Sequence, residues 1–589
     1  MSENGAASLH HITVSTKTVS FPSNLTTHLD ICAYVALETE RRLHIIDACE
    51  EDIVTLKRFQ NAFAPVNSLP AEVFSHIFRY LLYPPGVPIL DSHTKFLKAL
   101  HICHRWRAIA LADPGLWTSF PLHNADMVEQ CLDRSRQLPI TVSLTRDMQE
   151  SIPRLVADAS HRLRSIWIST KNCSHVERLL SCYRPAPLLE FLHVGAYGSR
   201  SNADFDGPVA PTMFFRGDVP SLRYLVLHDV QLLFTPPSTL RHLELSAHGS
   251  VLPSVGDILS YLGNCPDLEN LKLAGPCHGW SIVGRSSVEL PKLQSLLLKL
   301  EFPAANANLL SKLSLSEQTD IYIAVILDED EDFGEVIHAY DPSSPHSLRC
   351  LNKVRAVQLY WRDYELWMRA LRDVDQHFDY HCDAALEIAV SAEWGDFPQA
   401  VEGFLDGQWP FDASHVEALN ITLTGLSEES DEDEEPLELM RSQQWAAVLD
   451  SLPALKTVSL SAFHHLELDP LVDLWSGKDG EPYSPKLQSL EFRTLNMSER
   501  TMEGVYNIAA KRLNEGGDGN GVFKELYFCD CGTPSQDPYV GDEWAVRLAG
   551  LGVKVMIDEK IVGVDSFPWA DPALGGSRQA RSTSSRTSA

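Results

Sequence analysis

A hydrophobic phrase that returns at a near-regular interval constrains this chain more than any other feature. Leu163-x-x-Ile166-x-Ile168 is followed by Leu189-x-x-Leu192-x-Val194, Leu222-x-x-Leu225-x-Leu227, Leu240-x-x-Leu243-x-Leu245, Leu268-x-x-Leu271-x-Leu273 and Leu293-x-x-Leu296-x-Leu298. The phrase resumes as Val354-x-x-Val357-x-Leu359, Leu455-x-x-Val458-x-Leu460, Leu487-x-x-Leu490-x-Phe492 and Phe523-x-x-Leu526-x-Phe528, and Leu386, Leu419 and Val553 open weaker copies. The last apolar positions of each copy alternate as in a short strand. Separations of mostly about 25 to 35 residues leave room for one returning helix per copy. Val255 to Leu262 and Trp445 to Leu452 read as such helices, each closed by a proline a few residues before the next strand. One strand–helix coil cannot bury its own apolar face, whereas stacked coils share a continuous core, so a chain of 589 residues can fold as one long array.

The phrase resembles the leading half of a leucine-rich repeat. The asparagine that usually follows the strand in that family is mostly absent, the spacing is uneven, and Asp328 to Asp332 interrupts the middle, so the strand register between Leu300 and Val354 is left open. Leu138 to Leu144, β-branched and alternating, reads as the first strand, behind a connecting helix over about Asp126 to Arg136.

Ahead of the array lies a compact helical pattern. Pro70 suits the first turn of a helix and Glu72 suits its positive end, so a helix starts there. Val73, Ile77 and Leu81 share one side of it; Phe74, Phe78 and Leu82 line the adjoining strip, an apolar surface wide enough for two partners. Phe96, Leu97, Leu100, Cys103 and Trp106, with Ile102 and Ile109, continue at helical spacing until Asp113-Pro114-Gly115, and Trp117 returns to the small core. The order Leu69-Pro70-x-Glu72-Val73-x-x-x-Ile77-Phe78, then Cys103-x-x-Trp106-Arg107, then Pro114-x-Leu116-Trp117 resembles the F-box, with a longer link from Tyr83 to Thr94 between the helices. That resemblance implies docking on a Skp-type adaptor, and through it on a cullin. Leu69, Pro70, Val73, Ile77, Phe78 and Leu81 would hold the adaptor, with Trp106 and Trp117 supporting the hairpin. A plain helical cap on the array is the alternative reading of the same residues, and it would bury all of Leu69, Pro70, Val73, Ile77 and Phe78.

From about Thr27, Leu43, Ile46, Cys49, Ile53, Leu56 and Phe63 recur at mostly three- and four-residue steps among charged residues, which predicts an amphipathic helix. Its position resembles the arrangement in F-box proteins of mushroom-forming fungi. Packing beside the F-box is the expectation; pairing with another chain is the alternative.

The expected fold class is therefore α/β: a short N-terminal all-α region, amphipathic helix plus F-box helices, followed by an irregular leucine-rich-repeat-like α/β solenoid. The divisions are 1–26 flexible leader, 27–63 amphipathic helix, 64–120 F-box, 121–137 connecting helix, 138–566 solenoid and 567–589 disordered tail. Within the solenoid, 427–436 is an acidic loop whose like charges keep it solvated; as a contact for a basic protein it would be deepened by phosphorylation at Ser427 or Ser430.

A net charge of -30 without clustered Lys and Arg argues against nucleic acid, and is compatible with a basic protein target or simply with solubility. The longest apolar run, Ile321 to Leu327, is far too short to span a bilayer, and the N-terminus carries no basic-then-apolar signal, which together predict a cytosolic or nuclear protein. Twelve scattered cysteines fit reduced thiols; Cys529-x-Cys531 and His101-x-Cys103-His104 lack the spacing of a metal set. No phosphate loop, nucleophile elbow or His-Glu-x-x-His helix is present, and His464-His465 beside Glu467 reads as ordinary surface. No cofactor is expected. The resemblance implies a non-enzymatic substrate-recognition subunit of a Skp-cullin-F-box E3 ubiquitin ligase, whose repeats bind an unknown protein target. The rival is a non-catalytic leucine-rich-repeat scaffold or regulator unrelated to ubiquitin.

Overall fold

In the computed structural model the structure describes residues 11–14, 17–20, 22, 25, 27–82, 89–145, 147–171, 173–180, 184–196, 209–212, 218–232, 236–248, 250–277, 287–301, 303–327, 351, 353–362, 365–374, 384–392, 409–424, 442–462, 468–476, 484, 486–495, 497–515, 523–529, 531, 542–557 and 560–562. The chain forms two compact units: Met1–Pro121 with Glu129–Leu138, and Leu122–Val128 with Pro139–Ala589. The acidic stretches 328–332 and 427–436, His464 and His465, and the tail from 567 lie outside the described residues.

The first unit is mainly helical; within the expected flexible leader His11–Val14 and Lys17–Ser20 pair antiparallel, and Ser119–Pro121 forms a short strand near its other end. Helix α1 (His28–Ala62) is opened by a capping box in which the Thr27 hydroxyl accepts from the Asp30 N–H and the Asp30 carboxylate accepts from the Thr27 N–H. Helix α1 meets the F-box segment at its C-terminal end, where the Asn61 carbonyl accepts from the Asn67 amide, but none of its 35 residues is buried.

A 3-10 turn, Pro65–Ser68, leads to α2 (Ala71–Leu82), with the Pro70 carbonyl accepting from the Phe74 N–H one turn into the helix. Helix α3 (Ile89–Ala99) starts five residues before the end of the link expected to reach Thr94. The single second helix read from spacing is in fact two, because the backbone is extended at Cys103 and α4 (His104–Ala112) begins anew behind it. No Gly or Pro marks that break. Its physical effect is to swing Trp106 back over α2, where its ring meets Phe74 at 5.1 Å and Phe78 at 5.7 Å, both edge-on. Helix α5 (Ala125–Arg134) crosses the division of the units in sequence.

The second unit is built on one long ladder of strands. In chain order these are β1 (Ile140–Leu144), β2 (Leu163–Thr170), β3 (Phe191–Ala196), β4 (Tyr224–His228), β5 (His242–Ser246), β6 (Asn270–Gly275), β7 (Ser295–Leu300) and β8 (Asp320–Leu327), each parallel to the one before. The three apolar positions of the repeat have separate jobs. The second and third lie in register from coil to coil, as in Ile166, Leu192, Leu225, Leu243, Leu271, Leu296 and Ile321, all at most 2% exposed. The first is turned inward by a recurring tight turn: the N–H groups of Leu189, Leu222, Leu240, Leu268 and Leu293 each donate to the carbonyl three residues back. Each buried side chain contributes about 1.5–3 kcal/mol of transfer free energy, and the row as a whole gives the array its core.

Helices return between strands where the sequence leaves room: α6 (Ile152–Asp158), α7 (Cys173–Leu180), α8 (Val255–Gly263) and α9 (Pro303–Leu310). Helix α8 is capped by Ser254, whose hydroxyl accepts from the Asp257 N–H, and buries Val255, Ile258 and Leu262 as the spacing predicts.

The middle departs from simple stacking. Strands β9 (Ala356–Arg362), β10 (Glu365–Leu371) and β11 (Leu386–Ala392) enter in reversed spatial order: β8 pairs parallel with β11, β10 runs antiparallel between β11 and β9, and β9 pairs parallel with the next repeat strand, β12 (Ala418–Thr424). The copies at Val354 and Leu386, which the sequence places one after another along the array, are thus exchanged in space. Parallel stacking then resumes through β13 (Thr457–Ala462), β14 (Ser489–Arg493), β15 (Glu525–Cys529) and β16 (Lys554–Ile557), and β17 (Lys560–Val562) closes the ladder antiparallel. Helices α10 (Ser442–Ser451), α11 (Asp469–Ser476), α12 (Glu499–Glu515) and α13 (Asp542–Ala549) return between them. This is the α/β solenoid anticipated from the repeats, with an antiparallel insertion at its centre.

Candidate interaction surfaces

The core of the helical segment sorts the residues of α2 into two kinds. Phe74, Phe78 and Leu82 are buried, and Phe78 joins a chain of edge-on rings through Phe96 at 5.9 Å to Trp117, itself 5.7 Å from Phe96. Trp117 is 1% exposed; its indole N–H donates to the Ala110 carbonyl at 2.8 Å, and the Arg134 guanidinium lies 4.4 Å over its ring. The indole N–H of Trp106 donates to the Asn67 side-chain oxygen at 2.8 Å, while the Asn67 amide donates to the Asn61 carbonyl at 2.7 Å. Arg105 donates to the Leu69 carbonyl at 3.0 Å. These bonds pin the stretch Asn67 to Leu69 against α4 and fix where α2 begins.

What remains outside is a contiguous apolar strip. Pro70 and Val73 are exposed, Val73 by 39%, and Leu69, Ile77 and Leu81 are half-buried along the same side. Of the eight residues singled out from the sequence, Phe78 and Trp117 lie in the core and cannot touch a partner, Trp106 is half-buried between α2 and α4, and the other five form the strip. Cys103 sits half-buried at the start of α4, within 3.9 Å of the Asn67 amide, while His101 and His104 are exposed. Cys531, the buried member of the other pair, donates its thiol to the Phe492 carbonyl at 3.3 Å. Among the described residues no cluster of His, Cys, Asp and Glu could hold a metal ion, and no helix is long and apolar enough to cross a membrane.

The second surface is the strand face turned away from the buried rows. Register places Trp167, His193, Val226, Glu244, Lys272, Leu297 and Tyr322 in one row across β2 to β8. The Trp167 and His193 rings stack at 3.9 Å, Trp167 stacks on Phe191 at 5.9 Å, and Phe191, Tyr224 and His242 follow at about 6 Å steps in the neighbouring row. Glu244 sits at the centre: Lys272 Nζ is 2.7 Å away, and His228 and His242 Nε2 are each 3.9 Å away. The neighbouring His242 ring, reinforced by the Lys272 ammonium, holds the carboxyl at about 2, whereas burial pushes His193 down to about 4 and lowers His228 as well. The patch therefore presents flat rings around a carboxylate paired with Lys272. The sequence shows these residues only as the variable letters between the leucines; their juxtaposition depends on the register of successive coils.

Further along, Arg369 of the antiparallel β10 donates to Glu387 on one side and Gln358 on the other, both at 3.2 Å, and Glu417 is held ionised by Lys456 at 2.9 Å and by Arg355. These pairs bridge strands within the array.

Residues 66–122 match the family model described as F-box-like. No curated protein matches the chain. Among solved structures, an internalin from Listeria monocytogenes aligns over 73% of this chain and 88% of its own length, at 12% identity and a TM-score of 0.23. The protein combines an F-box-like domain with a leucine-rich-repeat-like solenoid. The domain at 66–122 holds the α2 strip, and the solenoid carries the ring-lined strand face.

Proposed function

We propose that the protein is the target-binding subunit of a Skp-cullin-F-box E3 ubiquitin ligase, acting in the cytosol or nucleus. The observation that carries this reading is the division of α2: its phenylalanines build the core while Pro70 and Val73, flanked by Leu69, Ile77 and Leu81, stay open as an apolar strip. A helical cap would bury that strip, whereas an adaptor-docking face must leave it free. Phe78, Trp106 and Trp117 serve by holding the strip in place.

In this reading the chain performs no covalent step. It holds a protein target on the strand face and a Skp-type adaptor on the α2 strip, and the adaptor brings a cullin with its ubiquitin-loaded enzyme. Tethering raises the effective concentration of a target lysine near the thioester, which is the whole of the chain's contribution to rate. The test is a pull-down of the purified full chain with Skp-type adaptor beside the double variant Leu69→Ala, Pro70→Ala, with circular dichroism confirming that the variant is folded. Retention of the parent and loss of the folded variant is expected. A parent that fails to retain adaptor would leave a repeat scaffold unrelated to ubiquitin.

A further inference from the structure

Helix α1 is unusual in what it leaves uncovered. Among the described residues, 21 large hydrophobic side chains are exposed, and ten of these belong to this one helix. At 35 residues it is far longer than the helices globular domains ordinarily use, and a helix with no buried residue is poorly supported by helix propensity alone.

The side chains are ordered in heptads. Ile46 and Ile53 occupy successive a positions, and Cys49, Leu56 and Phe63 occupy d positions between and after them, with Gln60 as a polar a residue that would fix register. β-branched residues at a with Leu at d favour two parallel strands. The flanks are complementary to themselves: Asp52 at g lies opposite Lys57 at e in the next heptad of a parallel partner. Toward the N-terminal end the seam is weaker, because d falls on Arg42, which is bonded to Glu38 on its own helix at 3.0 Å.

We infer that α1 pairs with α1 of a second copy of this chain as a parallel, in-register two-stranded coiled coil over about Ile46 to Phe63, so that the protein carries two F-box-like domains and two solenoids per particle. This inference is independent of the ubiquitin-ligase reading.

Light scattering on the full chain at micromolar concentration tests it. A mass twice the 65.7 kDa of the chain is expected. The double variant Ile46→Glu, Ile53→Glu should run at monomer mass with the melting of the remaining structure unchanged. Because that variant could lose the helix itself, two further measurements keep the pairing exposed to failure. Asp52→Lys should weaken the dimer several-fold, and adding Lys57→Asp should restore it. Mild oxidation should yield a covalent dimer on a non-reducing gel that disappears in Cys49→Ser, since d-position thiols face each other only in a parallel, in-register pair. A monomeric parent overturns the inference, as does a dimer that survives the double variant or fails to cross-link through Cys49.

Discussion

Gly275 ends β6 with φ +117, and a Cβ built there would stand 2.1 Å from the Ala247 carbonyl oxygen. Both the dihedral and the space demand glycine. Gly504 of α12 is held by space alone, its would-be Cβ lying 1.9 Å from Cγ1 of Val472 on α11, whereas Gly263 at the end of α8 has nothing within 4 Å. Gly504→Ala should therefore cost about 1–3 kcal/mol through overpacking, and Gly263→Ala should be neutral or stabilise by up to about 1 kcal/mol; chemical denaturation of the two variants separates the effects. The same scale governs the response to acid. His193 is 6% exposed with its pKa lowered to about 4, so the unfolded chain takes up a proton below about 6.5 that the folded chain refuses until about 4, and folding weakens across that window. Glu244, depressed to about 2, adds a loss that begins near its unfolded value of 4.5 and continues below. Stability should fall as pH drops from 7 toward 4, and His193→Phe should flatten the part above pH 4.5, a difference of roughly 3 kcal/mol at most. A variant with an unchanged pH profile would mean that His193 is not buried neutral.

At the scale of elements, α2 shows how far spacing can be read. Its two apolar strips are visible in the sequence, but helical spacing does not say which strip meets the core; Phe78, a contact residue by the F-box resemblance, lies inside against Phe96 and Trp106. The distinction predicts opposite outcomes for neighbours. Phe74→Ala should lower stability of the helical unit by about 3–5 kcal/mol, while Val73→Glu should leave its melting within about 0.5 kcal/mol; a thermal melt of each decides it. The break at Cys103 was hidden for a different reason: His101 to His104 contains neither Gly nor Pro, and the turn is made by tertiary bonds through Asn67 and Trp106. Helix α1 was legible in extent but not in surroundings, since a stripe suited to packing inside the chain equally suits packing between chains.

For the whole molecule, the repeat phrase made the parallel ladder legible because each copy carries its own turn and its own two inward positions. The exchange of β9 and β11 was not legible, because Val354 and Leu386 open similar phrases and nothing local distinguishes neighbour from next-neighbour when an antiparallel strand is slipped between. The ring-lined face of β2 to β6 was likewise invisible as a surface, since its members are about 25 residues apart in sequence and meet only through register. In the proposed function α2 docks an adaptor with its outer strip while the solenoid is left free for a target. Isothermal titration of a purified Skp-type adaptor into the full chain, repeated with Val73→Glu and with Trp167→Ala, tests it most directly. Binding by the parent, at least tenfold weaker binding by folded Val73→Glu, and parent-like binding by Trp167→Ala are expected. Parent chain that gives no binding, or Val73→Glu that binds as the parent does, would contradict it.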